Sequence, residues 1–129
     1  MKRLPAYTGG RIVGIVTLQE PTFLILTALA SEPMHGYRVI QEVVALSDGR
    51  VTLRPSTLYG ALERLEEQGF VVADHEEVVD GRLRRYYRLT DEGAGFLDAE
   101  AQRLSSNAEA AVQRLRKRGR RTRLAHDHG

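Results

Sequence analysis

The spacing of apolar residues changes at Gly69, and that change limits the chain to few folds. Before it, Leu58, Leu62 and Leu65 recur at i, i+4 and i+7 within RPSTLYGALERLEEQGF, one stripe of a helix of about 56–68. After it, FVVADHEEVV and LRRYYRLT alternate with a period of two on either side of Asp80-Gly81. That dipeptide suits a tight turn in which both positions take positive φ, so the segment predicts a β-hairpin. Pro55 is tolerated only where a backbone N–H has no helical partner. Ser56 or Thr57 can cap the free amides, and Gly69 is the left-handed stop.

Outside this junction the period is helical. TFLILTALASEP, starting with Thr22 as N-cap and ended by Pro33, is apolar on nearly every side and predicts a buried helix. MHGYRVIQEVVALSDG predicts a second helix with Tyr37, Ile40 and Val44 as its inward stripe, Val43 beside it, and a stop at Asp48-Gly49. RVTL, 50–53, has room only for a short strand. Beyond the hairpin, Thr90 is placed to cap a long helix with Asp91 and Glu92 at its positive end. Leu97, Ala101, Leu104, Ala108, Ala111 and Leu115 follow at spacings of 4 and 3, a seam of about three heptads whose alanines permit close helix approach. The organisation is thus an N-terminal extension over 1–19 with no assigned role, a helical and hairpin domain over 20–90, a long helix over 91–118, and a basic tail over 119–129 expected to be disordered.

Composition narrows the function classes. At 129 residues the chain is one domain with a core. Its most apolar run, Ile12–Ala30, is broken by Gln19, Glu20 and Pro21, which argues against a membrane span and for a soluble, cytoplasmic protein. Without cysteine there is no disulfide, thiolate metal site or cysteine nucleophile. His126-Asp127-His128 invites a metal reading, but two histidines near a terminus, with His35 and His75 isolated from them, do not make a site. No nucleophile, base and acid arrangement stands out, so no enzyme, cofactor or metal is expected. Of 19 basic residues only Lys2 and Lys117 are lysines. Arginine forks match phosphates and base edges.

Three helices, a short strand and a hairpin, in that order, predict a mainly α fold with a small β-hairpin: a winged helix-turn-helix plus a long C-terminal dimerisation helix. In such a design the third helix enters the major groove of double-stranded DNA by its N-terminal turn. Ser56, Thr57 and Tyr59 would form its advancing edge, Gly60 would let it come close, and Arg64 would touch the backbone. The wing would add Arg82, Arg84 and Arg85, with Arg88 nearby. Leu97, Ala101, Leu104, Ala108, Ala111 and Leu115 would pair two subunits.

HGYRVIQEV at 35–43, STLYGALERLEEQGFV at 56–71 and RLRRYYRLTDEG at 82–93 together resemble, in order and spacing, the signature segments of PadR-family transcriptional regulators. The resemblance covers roughly residues 22–116 and implies the small subgroup with a single C-terminal helix. It implies a homodimeric bacterial repressor, and twofold symmetry then requires a palindromic operator. A small-molecule effector, where one exists, binds at or near the dimer interface. The sequence departs from the family pattern at Gly60, where a larger or basic side chain is common.

Competing readings stand beside these. Tyr59 could be a packing aromatic rather than a phosphate contact, and Tyr37, Tyr86 and Tyr87 could pack between wing and helices. The wing arginines could pair across the strands with Asp74, Glu76 and Glu77. The basic tail could be a solvated run or an auxiliary attraction for DNA. A winged-helix protein-interaction module without DNA binding is the alternative function, to which Glu63, Glu66 and Glu67 lend weight.

Overall fold

In the computed structural model, which describes residues 18–128, the chain forms four helices and a three-stranded antiparallel sheet. Nearly all of the expected N-terminal extension lies outside the described residues. The first helix, α1 (Glu20–Leu29), begins two residues before Thr22. Pro21 fits its first turn and Gln19 stands at the N-cap without a side-chain bond, so the expected threonine cap is not formed. Leu24, Ile25, Leu26, Ala28 and Leu29 are buried, which accounts for the all-round apolar sequence.

The next element is a strand the sequence reading missed. Met34–His35 (β1) pairs with the hairpin, Met34 opposite Tyr87 and His35 opposite Tyr86. Two residues carry no alternation, so no periodic signal marks them. RVTL, assigned to that role, is irregular. It is tied back instead through Ser47, whose buried hydroxyl donates to the Val43 carbonyl at 2.9 Å and accepts from the Val51 N–H at 3.0 Å. Between them α2 (Gly36–Leu46) buries Gly36, Val39 and Val43, not the expected Tyr37 stripe; Tyr37 is 65% exposed. The phase was misread by one position because Gly36, on the inward face, adds nothing to a hydrophobic pattern. It faces inward because the Tyr59 ring lies over it, in the space a Cβ would need.

The opening stretch forms α3 (Pro55–Glu67), with Leu58, Ala61, Leu62 and Leu65 buried. It ends as the sequence predicts: Gly69 takes φ 83°, its N–H donates to Glu66 O, and Phe70 N–H donates to Leu65 O, the paired bonds of a Schellman stop. The hairpin follows as β2 (Val71–Val79) and β3 (Arg82–Leu89), joined by Asp80 at φ 53° and Gly81 at φ 77°. β3 is central, flanked by β1 and β2, and the β2–β3 register is shifted at Asp74, between Ala73 and His75.

Thr90 then caps α4 (Asp91–His128) as expected, its hydroxyl accepting from the Gly93 N–H at 2.9 Å while donating to Gly69 O at 2.7 Å. The helix is 38 residues long, so the expectation that it ends near 118 before a disordered tail is corrected. Arg, Lys, Leu and Ala are all good helix formers, no proline follows, and Gly119 alone costs only about 1 kcal/mol. The chain divides into one unit ending at Ala94 and a second beginning at Gly95. In the first, Ile25, Leu26, Leu29, Val39, Leu58 and Leu62 make the centre of the core.

Candidate nucleic-acid interface

Helix α3 fixes three sides of the site by what it buries. With the leucine stripe inward, Ser56 and Thr57 stand exposed on the first turn and Tyr59 is 50% exposed beside them. The N-cap is Arg54 and it makes no side-chain bond; neither hydroxyl serves as the cap the sequence suggested. Pro55 occupies the first helical position and has no N–H, and Leu58 N–H donates to Arg54 O at 3.0 Å. The amides of Ser56 and Thr57 therefore have no place in the helical ladder and form the positive end of its dipole. Arg54, exposed at this tip, is a candidate contact that sequence reasoning passed over; its signal was a basic residue directly before the helix-opening proline.

Gly60 and Arg64 lie on the same face one and two turns further on. The Arg64 guanidinium folds back toward Gly60, where an added Cβ would sit 3.6 Å from it, an ordinary contact. Arg64 also lines a groove of about 270 Å³ with Thr22, Ala61 and Gln68. Tyr59 combines both competing readings: the hydroxyl end of its ring lies over Gly36, and the residue as a whole is half exposed.

The wing divides the arginines that the sequence presents as one row. Arg85 donates from Nε to Glu76 at 3.3 Å, and Arg88 is paired with Asp74 at 3.2 Å. Arg85 is further engaged by the Tyr87 hydroxyl, and these partners hold its guanidinium even more firmly charged than usual. Arg82 and Arg84 have no ion pair among the described residues. Half of the cross-strand pairing alternative is thus realised. Strand alternation also puts Arg82, Arg84, Tyr86 and Arg88 on one face and Leu83, Arg85 and Tyr87 on the other. Tyr87 is buried, and burial raises its hydroxyl above the usual tyrosine range, with Glu66 adding to the effect. Val78 and Leu83, opposite one another at the wing tip, are 71% and 64% exposed; no polar motif flagged them.

Two histidines flank Tyr86. His75 stacks on its ring at 4.4 Å, and His35 is tilted against it at 5.3 Å. Hydrogen bonding to Asp74, and secondarily to Glu77, holds His75 above the ordinary histidine range. His35 is shifted downward, by burial first and by the nearby Arg84 second. Among the described residues no group of histidines and carboxylates is arranged to hold a metal ion. No described helix is long and apolar enough to cross a membrane.

An exposed first turn on the third helix, in the same unit as an arginine-rich hairpin, is the geometry of a winged helix-turn-helix. The profile of the transcriptional regulator PadR-like family matches residues 25–99. The chain belongs to the PadR-like family of transcriptional regulators. It is similar to the transcriptional regulator Rv3488 of Mycobacterium tuberculosis, 39% identical over 88 residues that cover 68% of this chain and 78% of that one. A PadR family transcription regulator from Clostridium difficile shares the fold with TM-score 0.64 and 25% identity, over 75% of this chain and 99% of its own. Bacillus subtilis PadR, solved in complex with operator DNA, has TM-score 0.54 at 22% identity over 60% of this chain and 44% of its own, a likeness of fold. As a PadR-like protein the chain is a DNA-binding regulator and not an enzyme.

In the second unit, the PadR-like chain presents the expected seam on α4. Leu97 is half-buried, Ala101, Ala108 and Ala111 are exposed, and Leu104 and Leu115 are 42% and 65% exposed. Val112, off the strict heptad, stands beside the seam and is 45% exposed.

Proposed function

We propose that this chain is a homodimeric repressor that reads a palindromic operator and leaves it when a small-molecule effector binds at the dimer interface. The observation that carries the DNA reading is the first turn of α3, where Ser56, Thr57 and Tyr59 are exposed beside two amides outside the helical ladder. Hydroxyls and free amides at a helix start suit phosphates and base edges. Thr57 reads a base edge, Tyr59 donates its hydroxyl to a phosphate, Gly60 admits close approach, and Arg64 and Arg54 touch backbone. Arg82 and Arg84 extend the contact along the wing, with Arg85 in a lesser role. The seam from Leu97 to Leu115 pairs the subunits, and twofold symmetry makes the operator a palindrome with half-sites about one helical turn, or a multiple of it, apart. Support for repression and effector release comes from the family alone.

The test begins with footprinting of genomic DNA to find the bound site, followed by titration of Tyr59→Phe on that site. The ring is kept and only the hydroxyl over Gly36 is lost, so thermal melts run beside the titration separate a packing effect from a binding effect. Operator affinity should fall by about 1 to 2 kcal/mol, the scale of a hydrogen bond to a charged acceptor. Equal affinity would make Tyr59 a packing residue only, and salt-insensitive binding to duplex DNA would favour the protein-interaction alternative.

A further inference from the structure

The last third of α4 is the most strongly charged surface of the described chain, and the winged helix does not use it. Between Arg114 and Arg123 every residue is basic except Leu115, Gly119 and Thr122, and no acidic residue occurs between Glu109 and Asp127. The basic side chains are exposed, and none has an ion pair among the described residues. Because the segment is helical, like charges recur at i, i+4 in Arg114 and Arg118, Arg116 and Arg120, and Lys117 and Arg121, an arrangement that disfavours a helix in isolation. A polyanion laid against it removes that repulsion.

The distribution of the charge identifies the polyanion. Projected at about 100° per residue, the basic side chains fan over roughly 220° of the circumference. The gap holds Leu115, Gly119 and Thr122, on the face that carries the apolar seam. A bilayer-bound helix needs a broad apolar face opposite its cations. Here the gap is mostly not apolar, with Leu115 alone beside Gly119 and Thr122, and the exposed Leu124 projects among the arginines. Single-stranded nucleic acid is held largely by aromatic stacking, and no aromatic residue follows Phe96. What remains is a regular array of phosphates, for which arginine forks on a wide convex face are suited.

We propose that the arginine-rich end of α4 is a second DNA-binding surface, one that grips the phosphates of duplex DNA without reading sequence. It goes beyond the winged-helix reading and does not depend on it. It adds counterion-release affinity for any duplex, which holds the chain on DNA whatever the sequence.

The test uses the full chain with Arg116, Arg120 and Arg123 replaced by Gln, and a second variant with the same three replaced by Lys. Gln and Arg have similar helix propensity, and circular dichroism should show unchanged helicity in both. On a random-sequence 30-base-pair duplex the Gln variant should lower the slope of log K against log salt by up to about 0.9 per lost phosphate contact, while the Lys variant keeps most of it. The wing variant Arg84→Ala, titrated in parallel, should leave this distal share of the slope intact. An unchanged slope in the Gln variant would overturn the proposal. So would a loss confined to a single strand or to phosphatidylserine vesicles, or complete loss of duplex binding in the wing variant alone. Operator selectivity is scored separately by Tyr59→Phe, so either reading can fail without the other.

Discussion

At the scale of single residues, charge on the wing is decided by partners more than by position. Arg84 and Arg85 are neighbours in sequence, and sequence alone treats them alike. Arg85 is held by Glu76 and Tyr87, whereas Arg84 lies on the opposite face with no ion pair among the described residues. A phosphate must displace Glu76 to reach Arg85, whereas Glu77, opposite Arg84, is paired with His75 and leaves the Arg84 guanidinium without an ion pair. Arg84→Ala should therefore weaken duplex binding and reduce its salt slope by about 0.9, the value for one contact, while Arg85→Ala should change the slope by clearly less. Titrations of the two single variants over a range of salt check this; equal effects would mean that the Glu76 pair opens freely on DNA. Compensation of this kind was only half legible beforehand. The sequence contains Asp74, Glu76 and Glu77, but which arginine each one meets follows from the register and from the shift at Asp74, neither of which a pattern of residue types specifies.

At the scale of elements, legibility tracked the length of the periodic signal. Helix α3, its glycine stop, the Asp80-Gly81 turn and the Thr90 cap are local arrangements whose residue types state their own geometry. The two-residue strand, the inward Gly36 and the buried Ser47 were not legible, because each is defined by a contact made elsewhere in the fold. Gly93 is another such case. It looks like an unfavourable residue in a helix start, yet a Cβ there would collide with the Phe70 carbonyl and stand 2.9 Å from Leu89 Cδ1. Phe70 O also accepts from the Thr90 N–H at 3.0 Å, so the end of α3 and the start of α4 are fastened at one point. Backbone cannot yield as a flexible side chain can. Gly93→Ala should therefore destabilise the fold by about 1 to 3 kcal/mol despite alanine's better helix propensity, whereas Gly60→Ala, with ordinary room around it, should be tolerated. Thermal or denaturant unfolding of the two variants would show the contrast; a Gly93→Ala protein as stable as the parent would mean the junction relaxes.

At the scale of the molecule, α4 is about 57 Å long at 1.5 Å per residue, and its surface changes character along that length. Its proximal part carries the apolar seam with carboxylates around it, as in the Arg103 and Glu100 pair at 2.9 Å. From Arg114 to Arg123 there is no carboxylate, and the seam gives way to Arg118 and Thr122. One helix thus carries two different surfaces, an apolar one proposed to pair with its own copy and a cationic one proposed to meet a polyanion. Leu104, Val112 and Leu115 are each more than two-fifths exposed in the single chain, a contiguous stripe of the sort that marks an interface. The alanines between them let two helices approach closely enough to bury it. Replacing both Leu104 and Ala108 by Glu would put unpaired carboxylates into that contact. Sedimentation velocity should then show monomers where the parent sediments as a dimer. Far-ultraviolet circular dichroism should still report the first unit folded, since its core lies wholly before Ala94. Each half-site would then be bound alone, so operator affinity should fall steeply while attraction to random duplex falls little. A variant that still sediments as a dimer would remove the seam from the interface and leave twofold reading of a palindrome without its structural basis.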